Sequence, residues 1–410
     1  MYKKKEWAWA LFDIGNSAYY TTIVAGFFPV FFKAYWSQNT NVEQTTFQLG
    51  VANSLAGLLA AFLAPLLGSI ADFAGIKRPF LAFFSAVGIL ASLLFYIVPQ
   101  GDHVSAMAVF VLGGMAIGSA VTINDSQLSD VTTPERYHRV SALGYSLGYL
   151  GGGILFALNV FMTLNPEFFG FSSASEAVRF SFLTVAAWWA IFTVPVLIYV
   201  PDQPTHIRAS DAIKKGFKEI KSTIAQVLKH KNIVIFLIAF FLYIDGVHTV
   251  IAMAVDYGLS LGFQSADLIT ALLIVQFIGF PFSYIFGKLG DRLGAKKSLK
   301  IGIIFYLIIT ILASLMQTKI HFFILAGCIG AVQGGVQSLS RSFYALLIPA
   351  EKSAEYFGFY NMLGKFSSIL GPILMGGVAL LTQSTRYSIL SLSVLFFFGL
   401  YFLNKVEDVR

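Results

Sequence analysis

"GSIADFAGIKR", residues 68–78, and "GKLGDRLGAKK", residues 287–297, follow one pattern. Each reads Gly-x-x-x-Asp-x-x-Gly-x-(Lys/Arg)-(Lys/Arg). The first copy supplies Gly68, Asp72, Gly75, Lys77 and Arg78. The second supplies Gly287, Asp291, Gly294 and a basic pair, with Arg292 as a further cation. These residue types suit a sharp turn between two apolar helices. Glycine permits close packing and a tight turn. The aspartate can accept bonds from the exposed amides of the next helix, and the basic pair holds the turn on one side of a membrane. One copy could be a generic capped turn. Two copies, each after the second apolar stretch of its half, point to an internal repeat.

The composition agrees. The 410 residues are 57% apolar and 12% charged, with 41 Phe and 36 Gly, whereas soluble domains are roughly a quarter charged. Mean hydropathy is +0.74. A membrane span needs about 20 mostly apolar residues. Twelve candidates lie near 8–35, 48–70, 79–99, 104–124, 140–164, 180–200, 232–257, 266–288, 298–316, 320–345, 355–379 and 384–404. The expected fold is an all-α polytopic membrane protein with twelve transmembrane helices in two six-helix halves, 1–200 and 232–410. The polar segment 201–231 joins them as a basic amphipathic helix at the interface, with Ile213, Phe217, Ile220 and Ile224 at helical spacing. The lone Cys328 makes no internal disulfide and reads as a packing residue.

Lys and Arg fix the expected orientation. They gather at 3–5, at Lys77 and Arg78, at Arg136 and Arg139, in 201–231, and from Lys288 to Lys300, while 36–47 and 258–265 carry none. Both termini are therefore expected in the cytoplasm. The net charge of +7 is a topology signal and does not call for nucleic acid.

The repeat extends further. "SQLSD" (126–130) and "QSLSR" (337–341) end the fourth and tenth spans, and "GYSLGYLGGG" (144–153) and "FYNMLGKFSSILGP" (359–372) lie in the fifth and eleventh. The paired loop motif resembles that of the major facilitator superfamily over the whole chain. "WALFDIGNSAYYTTIVAGFFPVFF" (9–32), "YIDGVHT" (243–249) and the stretch 332–372 resemble the vacuole-effluxer branch, whose eukaryotic members export amino acids from the vacuole. In "YIDGVHT", Ile244 and His248 depart from the branch's more usual Asn-Asp-Gly-Val-Gln-Thr. The resemblance implies alternating access by rocking halves, cytoplasmic closure held by Asp72 and Asp291, and a monomer.

Charges near a bilayer centre cost on the order of 3 kcal/mol, so they tend to face a cavity or a partner. Asp245 lies 14 residues after Lys231, about 21 Å along a helix and near the midplane. His248 and Thr249 follow on the same face. Asp245 is expected to meet a proton, a substrate ammonium or Lys365, and the alternative is a structural bond between helices. Lys365, with Asn361 one turn earlier, is expected to bind a substrate carboxylate or neutralise Asp245. Asp13, Asn16, Ser17 and Tyr20 form one polar face of the first span. Gln333, Gln337 and Arg341 form another on the tenth, where an Asp130–Arg341 gate pair is expected. Asn53, Asn124, Asp125 and Gln276 read as helix-to-helix bonding groups.

These features suggest a secondary active transporter of a small polar solute, most plausibly an amino acid or similar zwitterion, coupled to protons or sodium. The sequence has no phosphate-binding loop, which argues against a pump driven by its own ATP hydrolysis. It reads as apolar helical spans with no strand-to-helix turn to make a nucleophile elbow, so an enzyme is not expected. No cofactor and no resident metal are expected. The partners are the lipid bilayer and the small-molecule substrate, and the location is the cytoplasmic (inner) membrane if the source is prokaryotic. A metal-ion exporter of the same fold and a non-transporting receptor or scaffold are the competing readings.

Overall fold

The structure, a computed structural model, describes residues 2–38, 42–202, 227–260, 263–367 and 370–408. The expected interfacial helix within 201–231 falls mostly outside them. The long helices of the first set are α1 (Lys4–Ala18), α2 (Val42–Ala74), α3 (Lys77–Ile97), α4 (His103–Ser126), α5 (Tyr137–Leu164) and α6 (Ala174–Tyr199). The second set comprises α7 (Lys231–Ser260), α8 (Ser265–Leu293), α9 (Ala295–Ser314), α10 (Lys319–Leu347), α11 (Ser353–Phe366), α12 (Leu370–Thr382), α13 (Thr385–Ser391) and α14 (Ser393–Lys405).

Among the described residues, 11 helical stretches are long and apolar enough to cross a membrane. They coincide with the second to twelfth expected spans, α11 with α12 and α13 with α14 each making one stretch. The outer faces carry exposed Phe62, Phe83, Ile97, Ile191, Ile308 and Phe397, a surface suited to lipid and costly in water.

The segment before α2 is wound differently. After Ala18 the chain passes into a π-helix over Tyr19–Phe27, then Phe28–Phe31 in α-helix and Phe32–Trp36 in π-helix. The run Thr21-Thr22-Ile23-Val24 is β-branched, which weakens α-helical preference. The wider winding leaves Tyr20 and Thr21 at a cleft between the two sets, and π-turns recur at functional sites.

Bonds between neighbouring connections place both chain ends at one end of the bundle, called here the termini face. Lys5 Nζ donates to the Asp130 carbonyl at 2.7 Å. Lys77 Nζ reaches Asp130 at 2.9 Å and Ser353 Oγ at 2.8 Å. Lys296 Nζ donates to the Asn404 carbonyl at 3.1 Å.

The repeated motif brings the two sets together here. A Cβ at Gly68 would strike the backbone of Ala354, at the start of α11, and one at Gly287 would strike Ala142 of α5. Glycine thus permits α2 to lie on α11 and α8 on α5. Gly75 and Gly294 take φ of 63° and 84° at the turns that follow, a region favouring glycine. Each motif aspartate then crosses to the other set. Asp72 accepts the Glu355 amide at 2.8 Å, and Asp291 accepts Arg139 Nε at 2.8 Å.

Aromatic residues stiffen each set. Phe28 stacks on Phe110 at 4.1 Å in the first, and Phe240 on Tyr360 at 4.1 Å in the second. Such pairs contribute roughly 0.5–1.5 kcal/mol beyond area burial. The α4 N-terminus is capped by Asp102, which accepts the Ser105 amide at 3.0 Å. The Ser105 hydrogen bonds hold that carboxyl below its usual range.

Overpacking at a glycine contact costs about 1–3 kcal/mol. Gly68→Val and Gly287→Val are therefore each expected to lower the unfolding midpoint of the detergent-purified protein. Gly50→Val, at a position with open space around it, serves as the control that leaves the midpoint in place.

Candidate functional site

The tightest polar cluster surrounds Arg341 of α10, which is 2% exposed. Its Nη1 donates to Asp125 Oδ1 at 2.9 Å and its Nη2 approaches Asp13 Oδ2 at 3.5 Å. Its Nε donates to Ser141 Oγ, and Nη2 to the Ser141 carbonyl, both at 2.9 Å. The guanidinium lies over the rings of Trp9 and Tyr145 at 4.7 and 4.4 Å. A planar fork of five donors serves two carboxylates, a hydroxyl and a carbonyl at once, one partner more than lysine's three N–H groups can meet. One cation from the second set thus fastens α1, α4 and α5 of the first.

Other bonds seal the same end. His138 Nδ1 and Ser342 Oγ lie 2.8 Å apart. Ser141 Oγ donates to the Ser338 carbonyl at 2.8 Å. Ser353 Oγ donates to the Ser126 carbonyl at 3.0 Å. Asn361 Nδ2 reaches Asp125 Oδ2 at 3.2 Å, continuing the network towards the middle of the bundle.

The expected Asp130–Arg341 pair does not form. Asp130 bonds to Lys77 and Arg341 to Asp125 and Asp13. Asp130 sits beyond Thr122–Ser126, in the short helix Leu128–Val131. It therefore lies level with the turn, while Asp125 lies inside the bundle.

Asp245 takes the alternative reading, a structural bond between helices. It is fully buried, yet it does not pair with Lys365. Its two oxygens accept the backbone amides of Leu370 and Gly371 at 3.0 and 2.9 Å, and the Thr249 hydroxyl at 3.2 Å. Those amides are the first of α12. The expected span 355–379 remains one apolar stretch, with α11 ending at Phe366 and α12 starting at Leu370. Pro372, third in α12, has no amide donor and is tolerated in a helix's first turn. Asp245 caps α12 from the side, where a carboxylate also suits the helix dipole.

Lys365 lies in the last turn of α11. Its Nζ donates to the Tyr20 hydroxyl at 3.4 Å and lies 5.6 Å from the centre of that ring. His248 Nδ1 lies 3.5 Å from Ser367 Oγ, just past the end of α11. Tyr20 connects this cation to a cleft of ≈ 210 Å³ on the far side of the closure. The walls are apolar, from Val250, Leu272 and Ile329 among others, and Thr21, Gln276 and Gln333 supply polar groups. Gln276 Nε2 donates to Thr21 Oγ1, tying α8 to the π-wound segment. Gln333 Oε1 is buried with no hydrogen-bond partner among the described residues.

The structure thus separates the candidate residues into groups. Asp13, Asn16, Arg341 and Asn361 belong to the closure, Asn16 Nδ2 donating to Asp13 at 3.1 Å. Lys365, His248, Tyr20 and Gln333 lie at or near the cleft. Asp72, Lys77, Arg78, Asp130, Asp291 and Arg292 stay at the termini face. Sequence reasoning missed the central part of Asp125, whose signal was its place in a polar run at the end of an apolar span. It also missed Trp9, Ser141, Tyr145 and Glu6. Glu6 is fully buried and accepts Arg136 Nη2 at 2.7 Å. Among the described residues no group of three His, Cys, Asp or Glu side chains is placed to hold a metal ion.

The helices, the paired loop motifs and the closure between the two sets define a transporter of the major facilitator type. A solved structure of the proton:xylose symporter XylE superposes with a TM-score of 0.77 at 13% identity, covering 99% of this chain and 96% of that one. The sequence profile described as "Vacuole effluxer Atg22 like" matches residues 1–132 and 124–410, and the chain belongs to that family. It is 35% identical over 409 residues to the uncharacterized MFS-type transporter YxiO of Bacillus subtilis, covering 99% of this chain and 96% of the relative. It is 25% identical over 310 residues to Autophagy-related protein 22 of Yarrowia lipolytica, covering 66% of this chain and 51% of the relative. The alignment thus spans about half the length of that fungal protein. Fold and relatives are those of secondary transporters, not enzymes.

Two substitutions test the assigned roles. Removing one partner of a buried charge cluster costs about 3–5 kcal/mol, so Arg341→Gln is expected to lower the unfolding midpoint strongly, and Arg341→Lys to restore only part of it. Asp245→Ala leaves two buried amides without an acceptor, at about 1–3 kcal/mol each. Asp245→Asn keeps an acceptor oxygen and is expected to be milder. Thermal unfolding in detergent measures both orderings.

Proposed function

We propose that this protein is a secondary active transporter of small zwitterions, amino acids foremost, working by alternating access. The observation that carries the reading is the arrangement around Tyr20. On one side stands the Lys365 ammonium, whose described hydrogen bond is the long one to Tyr20. The orphaned Gln333 Oε1 is a second polar group in the cleft region that Tyr20 lines. A carboxylate bonds to the first and an ammonium N–H to the second. The apolar cleft walls suit an aliphatic or aromatic side chain.

The finer points of this reading follow from charge and repeat. Counting Lys4–Trp36 as a span makes twelve, divided into halves 1–200 and 232–410 about the linker 201–231. Lys and Arg are dense at the termini face, which by the positive-inside rule supports cytoplasmic termini. The structure then corresponds to a state closed to the cytoplasm, with its cleft on the opposite side. Rocking of one half against the other exchanges it for the reverse state. Proton coupling has its candidate in the Asp13–Asp125–Arg341 cluster. Protonating either carboxylate weakens the bonds that hold the closure and links the cytoplasmic opening to proton binding. A metal-ion cargo is not favoured, because Asp245 is filled by amide donors, which repel a cation.

Uptake of radiolabelled amino acids into proteoliposomes, with and without a pH gradient, tests this. Lys365→Ala is expected to lower uptake at least about tenfold at unchanged unfolding midpoint, the scale of losing a charged hydrogen bond. Lys365→Arg is expected to retain part of it. Wild-type rates from Lys365→Ala protein, or no amino acid carried by wild type, would refute the site.

A further inference from the structure

The termini face holds a second basic feature, which the closure uses only through the Arg139–Asp291 bond. A pocket of ≈ 390 Å³ opens where the start of α5 meets the end of α8. Arg136, Arg139, Lys288 and Arg292 line it with Tyr2 and Tyr284. Two of these cations are engaged, Arg139 by Asp291 at 2.8 Å and Arg136 by Glu6 at 2.7 Å. Lys288 and Arg292 are exposed, and neither takes part in an ion pair among the described residues. The Lys288 ammonium lies 4.8 Å from the centre of the Tyr284 ring. Tyrosine suits the headgroup level of a bilayer.

The surface beside the pocket identifies the occupant. Ile285, Lys288 and Arg292 recur at i, i+3 and i+7 and share one stripe of α8. Ile285 is 50% exposed, and Phe282, one turn earlier, is 39% exposed. An apolar strip on the lipid-facing surface thus runs directly into a basic pocket. A free phosphate would use the pocket alone, whereas a phospholipid uses both. We infer that this pocket binds the headgroup of an anionic phospholipid, with the acyl chains along α8. Its walls come from both sets of helices, Arg136 and Arg139 from the first and Lys288 and Arg292 from the second. A lipid bound there favours the state in which these walls are close, and so the closure at the termini face. The inference is independent of what the protein carries.

The test uses the full chain in nanodiscs of phosphatidylcholine with and without phosphatidylglycerol, read by native mass spectrometry after release. Wild type is expected to retain phosphatidylglycerol in preference to phosphatidylcholine. Lys288→Gln/Arg292→Gln should weaken that retention at least about tenfold, given the usual attraction per basic residue. Lys229→Gln/Lys231→Gln removes two exposed cations elsewhere and should leave it intact. The charge-preserving Lys288→Arg/Arg292→Lys should also retain the lipid, which guards against a folding defect in the glutamine variant. Equal retention by the Lys288/Arg292 glutamine variant and by wild type overturns the inference. So does a loss of the same size in the Lys229/Lys231 control. If glycerol 3-phosphate competes as strongly as the whole lipid, the site is one for soluble phosphate, and the lipid assignment falls.

Discussion

One guanidinium holds the two sets of helices together. Arg341 is buried, and burial of a lone cation in this setting would cost several kcal/mol. It is tolerated because Asp125, Asp13 and Ser141 meet it at fixed positions, two aromatic rings flank it, and nearly every donor is used. Its partners come from three helices of the other set. The glycine contacts at residues 68 and 287 bring backbones close enough for this cluster to form, and the crossing bonds of Asp72 and Asp291 add to it. Parting the sets at this end separates all these charges. The opening therefore needs a replacement partner for them, whether water or a proton.

The deep charges have different tasks, and their neighbours distinguish them. Asp245 meets two amides and a hydroxyl, a fixed set of donors that stabilises a carboxylate and caps the start of α12. Among the described residues, the hydrogen bond Lys365 makes is a long one to the Tyr20 phenol beside a cleft. The passage from α11 to α12 gives both their setting. Lys365 lies at the end of one helix, and Asp245 caps the next. The π-winding before Phe28 does the same on the opposite wall, presenting Tyr20 and Thr21.

Much of the architecture was legible in the sequence, because membrane helices announce themselves by length and apolarity. The repeated Gly-x-x-x-Asp motif also marked where the two sets would meet, since close packing and positive φ both demand glycine. The partner of each charge was not legible. Asp125 and Asp130 lie five residues apart on the same polar run, and only the helix's end at Ser126 decides that one faces inward while the other joins the turn. Asp245 read as a ligand group because its depth is visible in the sequence, whereas the amides that fill it come from residues 125 positions away or more. The end of α11 at Phe366 had a local signal in the Gly-Pro pair that follows at 371–372, but the apolar run masked it. Trp9 and Tyr145 look like ordinary core aromatics until a buried arginine is placed between them.

The central claim is that closure around Arg341 alternates with an opening at the same end when solute is carried. Paired spin labels measure this most directly. One pair, Thr133→Cys with Glu351→Cys, spans the termini face. The other, Gln38→Cys with Gln317→Cys, spans the opposite end, both in a Cys328→Ser background. The account predicts a short termini-face distance without solute. Adding transported solute should populate a longer distance there and a shorter one at the opposite end, the two changing together. Distances that stay fixed at both ends in the presence of a solute that proteoliposomes accumulate would contradict it.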